Sequence, residues 1–254
     1  MKAKQQPERI PGALLIFLGL MAAYAVLTDV LAIPNPMIFP GWGKILPAMY
    51  LSIPQFLNGL LSSLLLLIPA VAAAIVVGVA AGILIGLSPR TERLFMPLLR
   101  AFNAVPATML IPYSIAVMPG FWLSSASLIF IGVVWPILMN TLYGVVFLEP
   151  RWLENALCLN LRGRRLILKV VLPGAMPYIM AGINTSLIRS FLLLTVAEMF
   201  GAESGLGYFV QYYADFAKYD RVIGGMFWLS GVVVMIMVVF DRVQKRVLFW
   251  TEKR

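Results

Sequence analysis

The run LLSSLLLLIPAVAAAIVVGVAAGILIGL, residues 60–87, carries no charged side chain from end to end. A helix needs about 20 apolar residues to cross the hydrocarbon core of a bilayer, and this run exceeds that. It is continuous rather than alternating, which separates it from the short two-faced strands of an outer-membrane barrel. The same character extends outward to the whole chain of 254 residues, which is 61% hydrophobic and 12% charged. A soluble domain is about half apolar and about a quarter charged, and a fold of this size lacks the interior to hide the excess. A disordered chain, a collagen and a disulfide scaffold are excluded on the same grounds. What remains is an all-α integral membrane protein.

Six transmembrane helices are expected, roughly Ile10–Ile33, Leu60–Leu87, Met96–Val117, Leu123–Phe147, Ala175–Met199 and Val222–Val243. The first apolar stretch is too long for a cleavable signal peptide and no A-x-A site follows it. Pro34 and Pro36 end it. Basic residues stay on the cytoplasmic side of a membrane protein. With the N-terminus inside, the inner segments hold Lys2, Lys4 and Arg9; Arg90, Arg93 and Arg100; Arg151, Arg162, Arg164, Arg165 and Lys169; and Arg242, Lys245, Arg246, Lys253 and Arg254. That is sixteen of the 20 Lys and Arg residues; the outer segments hold Lys44, Lys218 and Arg221, and Arg189 lies inside span five. Both termini are therefore expected in the cytoplasm. The net charge of +9 expresses topology rather than nucleic-acid binding.

Chemistry within the chain is narrowly bounded. It has no histidine and one cysteine, Cys158, so Ser-His, zinc-His and internal disulfide arrangements are impossible. Gly41-Trp42-Gly43-Lys44 lacks the upstream glycine and the hydroxyl residue of a phosphate loop. No catalytic or metal-binding residues are expected, the chain is not an enzyme, and any ATP-driven work needs ATP bound elsewhere. Cys158 reads as a small buried apolar group in a reducing compartment, the methionines as core filler, and Asp29 as a solvated span end. Gly78, Gly82 and Gly86, spaced by four along span two, read as a packing face that lets helix backbones approach.

Residues 148–173 are the most polar stretch. Pro150 suits the first turn of a helix, and Trp152, Leu153, Ala156 and Leu157 fall on one face of it. Asn160 tolerates the left-handed residue that closes a helix. A second short helix is expected from near Gly163, with Leu166, Ile167 and Val170 as its apolar side. Such a helix–turn–helix either docks a soluble partner or rests on lipid headgroups with its arginines on phosphates.

The stretch from Glu154 to Pro173 resembles the E-A-A-x-x-x-G loop, ending in I-x-L-P, of binding-protein-dependent ABC importer permeases. Glu154, Ala156, Leu172 and Pro173 match, while Asn155, Asn160 and Val170 replace family residues; Gly163 and Arg164 also differ from the expected polar cap and aromatic. The run AEMFGAESGLGY, Ala197 to Tyr208, is similar to the A-E-M-x-x-A-x-S-G-L-G-Y of the subfamily importing nitrate, sulfonates, taurine and bicarbonate. Pro136, Asn140, Thr141 and Val105-Pro106 fit as well. Two departures stand out. Asn103 replaces an arginine usual before the Val-Pro step, and Met118–Ser125 lacks the lysine and two glycines of the usual turn.

The resemblance implies one permease domain over 1–254, with an N-terminal span and outer interfacial segment at 1–57, a family core at 58–250 and a cytoplasmic coupling loop at 148–173. It implies half of a translocation pore in the bacterial inner membrane, multi-pass. Its partners would be a cytosolic ABC ATPase dimer carrying ATP and Mg, a periplasmic or lipid-anchored substrate-binding protein, and a second permease subunit, alike or related. Coupling falls on Glu154, Ala156, Asn160, Gly163, Leu172 and Pro173, with Arg164 and Arg165 as contacts to ATPase or lipid. The outer loop motif is Glu198, Ser204, Gly205, Leu206, Gly207 and Tyr208. The cargo is a small anion such as a sulfonate, the alternative an aromatic or heterocyclic nutrient.

Span five carries a polar stripe of Gly182, Thr185, Ser186, Arg189 and Ser190 on one helical face. A charge in mid-bilayer must face water or a partner. Arg189 thus either faces a translocation path, together with Thr185, Ser186 and Ser190, or pairs with Glu198 or another acidic group. Two other classes are open. An ion-coupled carrier would show a buried acidic pair, and a membrane enzyme would show histidine or an acidic metal cluster.

Overall fold

The computed structural model describes residues 10–31 and 35–250, most of them helical and none of them in a strand. Ile33, Pro34, Lys2, Lys4, Arg9, Lys253 and Arg254 lie outside the described residues. The elements in order are α1 Ile10–Ala25, α2 Trp42–Leu51, α3 Ile53–Gly86, α4 Pro89–Ala104, α5 Ile111–Val117, α6 Phe121–Val146, α7 Pro150–Cys158, α8 Arg164–Leu166, α9 Leu172–Gly201, α10 Leu206–Asp215 and α11 Tyr219–Val247. Among the described residues four helical stretches are long and apolar enough to cross a membrane: Ile53–Gly86, Phe121–Val146, Arg164–Gly201 and Tyr219–Val247. The pair formed by Pro89–Ala104 and Ala107–Val117 would make a fifth if it is one broken span, and Leu15–Val30 is a shorter apolar helix.

The bundle is built on α6, which packs along its length against α3 on one side and α9 on the other. Lipid tails are as apolar as leucine, so helices in a membrane gain by close packing of small residues rather than by expulsion from water. The glycines show this directly. A Cβ on Gly78 would sit 2.9 Å from Ile137, one on Gly82 2.7 Å from Thr141, and one on Gly86 2.9 Å from Val145. The expected packing face of span two therefore lies on α6. From the other side, a Cβ on Gly182 of α9 would meet Asn140 at 2.9 Å, and one on Gly144 of α6 would meet the Ala175 carbonyl at 3.0 Å. Around these approaches lies the main core, with Leu66, Ala70 and Ala74 of α3, Ile129, Val133 and Ile137 of α6, and Phe191 and Leu194 of α9.

Three spans differ from expectation. Span three is not a continuous helix. α4 ends at Ala104, Val105 and Pro106 are extended, and a 3-10 turn at Ala107–Leu110 leads into α5 with a bend of 78°. Pro106 offers no N–H and forces the residue before it out of the helical region. Span two starts earlier, at Ile53, and at 34 residues is about 51 Å long. Span five gains at its base. α8, a π-helical turn at Ile167–Val171 and α9 form one stretch from Arg164 to Gly201, so the second short helix is the foot of span five. Pro173 cannot donate to the turn below it, and the widened turn directly precedes it.

The N-terminal helix stands apart from this bundle. Leu15, Ile16, Phe17, Leu18 and Leu20 are all exposed. α1 runs on through a π-helical turn, Val26–Val30, and is held at its outer end. Tyr24 donates to the Pro40 carbonyl at 2.8 Å and its ring packs edge-on to Trp42. Asp29, expected to be merely solvated, accepts from the Trp42 N–H at 3.0 Å and so caps α2, which lies in the expected interfacial segment.

Overpacking the α3–α6 approach should be costly, because backbone and Thr141 lie on the α6 side with no flexible tip to give way. Gly82→Ala is expected to cost about 1–3 kcal/mol, read as a lower melting temperature of the purified chain. Gly231→Ala, with nothing within 4 Å, is the control and should not lower it.

Candidate functional site

Three features carry the residues singled out in the sequence: the inner loop, an open cavity at the break in span three, and a clamp at the outer end of span five.

The inner loop forms α7 from Pro150, and its last turn closes in a Schellman arrangement. The Leu161 N–H reaches the Ala156 carbonyl at 2.9 Å, the Asn160 N–H reaches the Leu157 carbonyl at 2.9 Å, and Asn160 sits at φ 56. Gly163 follows at φ 54 and starts α8. Glu154, Asn160, Gly163, Arg164 and Arg165 are exposed, and Leu172 and Pro173 are half-buried. Ala156 is buried, so it seats α7 on the chain's own surface. Leu157 and Leu159 point outward, 53% and 74% exposed. The predicted face is therefore split: Ala156 and the half-buried Leu153 turn inward, while Leu157 and Trp152 stay open to a partner. Cys158, expected to be buried, is exposed as well.

The cavity has a volume of about 550 Å3 and lies between the Phe102–Thr108 break, α6 and α9. Its walls are mainly apolar, with Ile131, Leu192 and Leu193 beside Phe102 and Trp135, whose rings stack 5.0 Å apart. Arg189 and Asn103 stand in this wall, the Arg189 guanidinium donating to Asn103 Oδ1 at 3.4 Å. The departure at position 103 thus lies beside the one cation the cavity holds. The stacked Phe102–Trp135 pair was not found from sequence, since each ring is an ordinary apolar residue of its own helix.

The polar stripe of α9 divides between two environments. Thr185 and Arg189 are exposed, with the Thr185 hydroxyl donating to the Ala181 carbonyl at 3.1 Å. Ser186 and Ser190 are fully buried. Ser186 donates to the Val133 carbonyl of α6 at 3.0 Å and Ser190 to Leu187 at 2.7 Å. These two serines therefore tie α9 to α6 and to itself and line no opening. Successive helix positions turn by about 100°, which spreads the five residues over about 140°. That arc is wide enough for one edge to meet α6 and the other the cavity.

At the outer end, Glu198 is buried and paired with neutral groups, not with Arg189. Ser63 of α3 donates to its Oε1 at 2.6 Å and the Gly207 N–H donates to its Oε2 at 2.7 Å. Ser63 Oγ in turn accepts the Leu206 N–H at 2.9 Å. Both amides belong to the first turn of α10, where a negative charge meets unpaired N–H groups and the positive end of the helix dipole. Gly205 lies at φ 135, a conformation closed to L side chains, and a Cβ there would collide with the Glu198 carboxylate. One on Gly207 would collide with the Thr195 carbonyl. Leu206 is buried, Tyr208 half-buried, and the exposed Ser204 hydroxyl bonds Ser62 at 2.8 Å. The motif thus closes span five, folds α10 back, and fixes both to span two. Ser63 was missed in the sequence, although a serine inside an apolar run is itself a signal, because an unpaired hydroxyl there is costly.

Among the described residues no group of acidic, histidine or cysteine side chains could hold a metal ion. Residues 74–252 match the sequence family described as binding-protein-dependent transport system inner membrane component. The chain is 33% identical over 174 residues to a Bacillus subtilis (strain 168) protein provisionally named an aliphatic sulfonates transport permease, covering 68% of this chain and 63% of that one. It is 27% identical over 191 residues to the taurine transport system permease protein of Escherichia coli (strain K12), covering 75% of this chain and 70% of that one. Among solved structures, a chain of the MetNI methionine ABC transporter in inward-facing conformations aligns with a TM-score of 0.65 at 16% identity, covering 77% of this chain and 97% of that chain. At that identity the likeness is one of fold.

Removing the hydroxyl at the centre of the outer clamp should release α10. Ser63→Ala leaves the Leu206 N–H and one Glu198 oxygen without their partner, a loss of about 1–3 kcal/mol. Limited proteolysis of the purified chain should then cut first around Ala202–Ser204. An unchanged cleavage pattern would mean that the clamp does not hold the outer helix.

Proposed function

The chain belongs to the family of binding-protein-dependent transport system inner membrane components, and from that premise we propose that it forms half of the translocation pore of an importer for an organic anion with an apolar body, such as a sulfonate. It is a transport subunit and not an enzyme; in this family the ATPase is a separate subunit. ATP and Mg accordingly act on that partner. A substrate-binding protein delivers cargo outside, and a second permease, a copy or a relative, completes the pore. The chain crosses the membrane six times, with α1 as the first pass and the bent α4–α5 pair as the third, and both termini face the cytoplasm.

The observation that carries the substrate reading is Arg189, an exposed cation on a membrane-spanning helix, set in a mainly apolar cavity of about 550 Å3. A guanidinium offers planar, paired donors to a sulfonate or carboxylate. The surrounding Leu192, Leu193, Phe102 and Trp135 favour a substrate with a carbon skeleton over a bare inorganic ion. The relatives named for sulfonates and taurine support the same class. The aromatic or heterocyclic nutrient without charge would leave Arg189 unused.

The inner loop transmits the ATPase stroke. α7 is joined covalently to α6 through Phe147–Glu149, and the stretch from Arg164 makes the foot of span five. A push on α7 would reach α6 through residues 147–149 and the foot of span five through residues 159–163, the two helices between which the cavity opens.

Two measurements test this reading. Arg189→Gln should lower uptake of an organic sulfonate by the reconstituted importer about tenfold or more, while Arg189→Lys keeps part of it; uptake unchanged in Arg189→Gln would exclude the anion assignment. Cys158 is the chain's sole cysteine and is exposed on α7. A membrane-impermeant maleimide should label it in inverted vesicles and not in intact spheroplasts, and bound ATPase should protect it. Labelling from outside would reverse the topology.

A further inference from the structure

At the inner end of the molecule, three segments distant in sequence enclose a shallow groove of about 370 Å3 lined by Trp152, Lys169, Val170, Pro173, Gly174 and Trp250. Trp152 comes from α7, the next four from the foot of span five, and Trp250 from the turn after α11. The Trp152 ring lies close on the span-five backbone: a Cβ on Gly174 would come within 3.1 Å of its Cζ3. Both indoles stay partly open, 42% and 43% exposed. Lys169 is exposed, and so are Arg151 next to Trp152 and Arg165 one turn before Lys169. Among the described residues no acidic side chain lines the groove. Trp152 and Pro173 belong both to this groove and to the coupling loop, whose other exposed apolar groups, Leu157 and Leu159, lie outside it.

We propose that this groove is a binding site for one anionic phospholipid of the inner leaflet. The chemistry is complementary at each level. An indole has an apolar body and an N–H donor, which suits the boundary between acyl chain and headgroup. An ammonium at that boundary attracts a phosphodiester, and basic pockets between membrane helices on the cytoplasmic side take anionic headgroups. Val170 and Pro173 give the upper acyl carbons an apolar wall. A lipid held there touches the coupling helix, the foot of span five and the end of span six at once, and so couples leaflet composition to the position of α7. The proposal rests on the inner-face placement of the loop given above.

The test uses the purified full-length chain in nanodiscs of phosphatidylcholine with a fixed fraction of brominated phosphatidylglycerol or brominated phosphatidylcholine, read by tryptophan quenching. Brominated phosphatidylglycerol should quench more strongly. That excess should vanish in the Trp152→Phe, Trp250→Phe double variant. Its apparent affinity should fall about fivefold in Lys169→Gln and be kept in Lys169→Arg. Inorganic phosphate in millimolar excess should not displace it, and displacement would make the ligand free phosphate and overturn the lipid assignment. Equal quenching by both lipids, or an excess untouched by Lys169→Gln, would also overturn it, as would complete loss of the excess when the ATPase subunit binds, which would make the groove a protein contact. A nanodisc with equal leaflets reads lipid selectivity whichever way the chain points. Cys158 labelling reads the orientation, so the two readings fail separately.

Discussion

The close approach of α3 and α9 to α6 is the constraint on which the remaining features depend. In lipid no hydrophobic force presses helix on helix, so the bundle holds only where backbones come close enough for dense contact and where polar groups find partners. Glycines at 78, 82, 86, 144 and 182 supply the first condition. Ser186, bonded to the α6 backbone, and the Ser63–Glu198 pair supply the second. The arrangement makes α6 a fixed axis. A displaced α3 or α9 would leave a buried hydroxyl or carboxylate without a partner, at a cost well above that of a lost methyl contact.

The less regular features sit where this axis leaves room. Span three breaks at Val105-Pro106 and bends by 78°; its halves pack on α6 separately, Leu99 beside Leu138 and Ile111 beside Leu128, and the cavity opens at the break between them. Irregular backbone at membrane depth is tolerated where it lines a cavity, and Arg189 faces that same space. The carboxylates at the span ends repeat one device. Asp29 at the end of span one receives the first amide of α2, and Glu198 at the end of span five receives an amide of α10. Each outer helix is thereby hung from the span before it.

Much of this was legible in the sequence because it is written in long-range composition. The uncharged run at 60–87 identifies a membrane helix without reference to neighbours, and the paired motifs at 154–173 and 197–208 identify the family. Asn160 was readable as the left-handed residue closing α7 because local backbone geometry restricts the residue types allowed there. What escaped the sequence depends on partners far away in the chain. Val105-Pro106 reads in the sequence as a family match inside one continuous span, and the 78° bend there appears only in the structure. Ser186 and Arg189 share a face by arithmetic, and only the position of α6 separates them. Ala156 matches the docking motif in the sequence, and only the packed chain shows it buried. The Asp29–Trp42 and Ser63–Glu198 bonds join residues 13 and 135 positions apart, beyond any local pattern.

The central claim is that the space beside Arg189 is a water-accessible path whose exposure is set by the ATPase. The most direct measurement replaces Cys158 with serine, places a cysteine on the cavity wall as Leu192→Cys, and follows its reaction with a charged thiol reagent in the assembled importer. Reaction is expected from the cytoplasmic side without nucleotide, with a shift to reaction from the outer side when ATP is trapped. A rate independent of nucleotide, or no reaction with any water-soluble reagent, would contradict it and leave the cavity a lipid-filled recess.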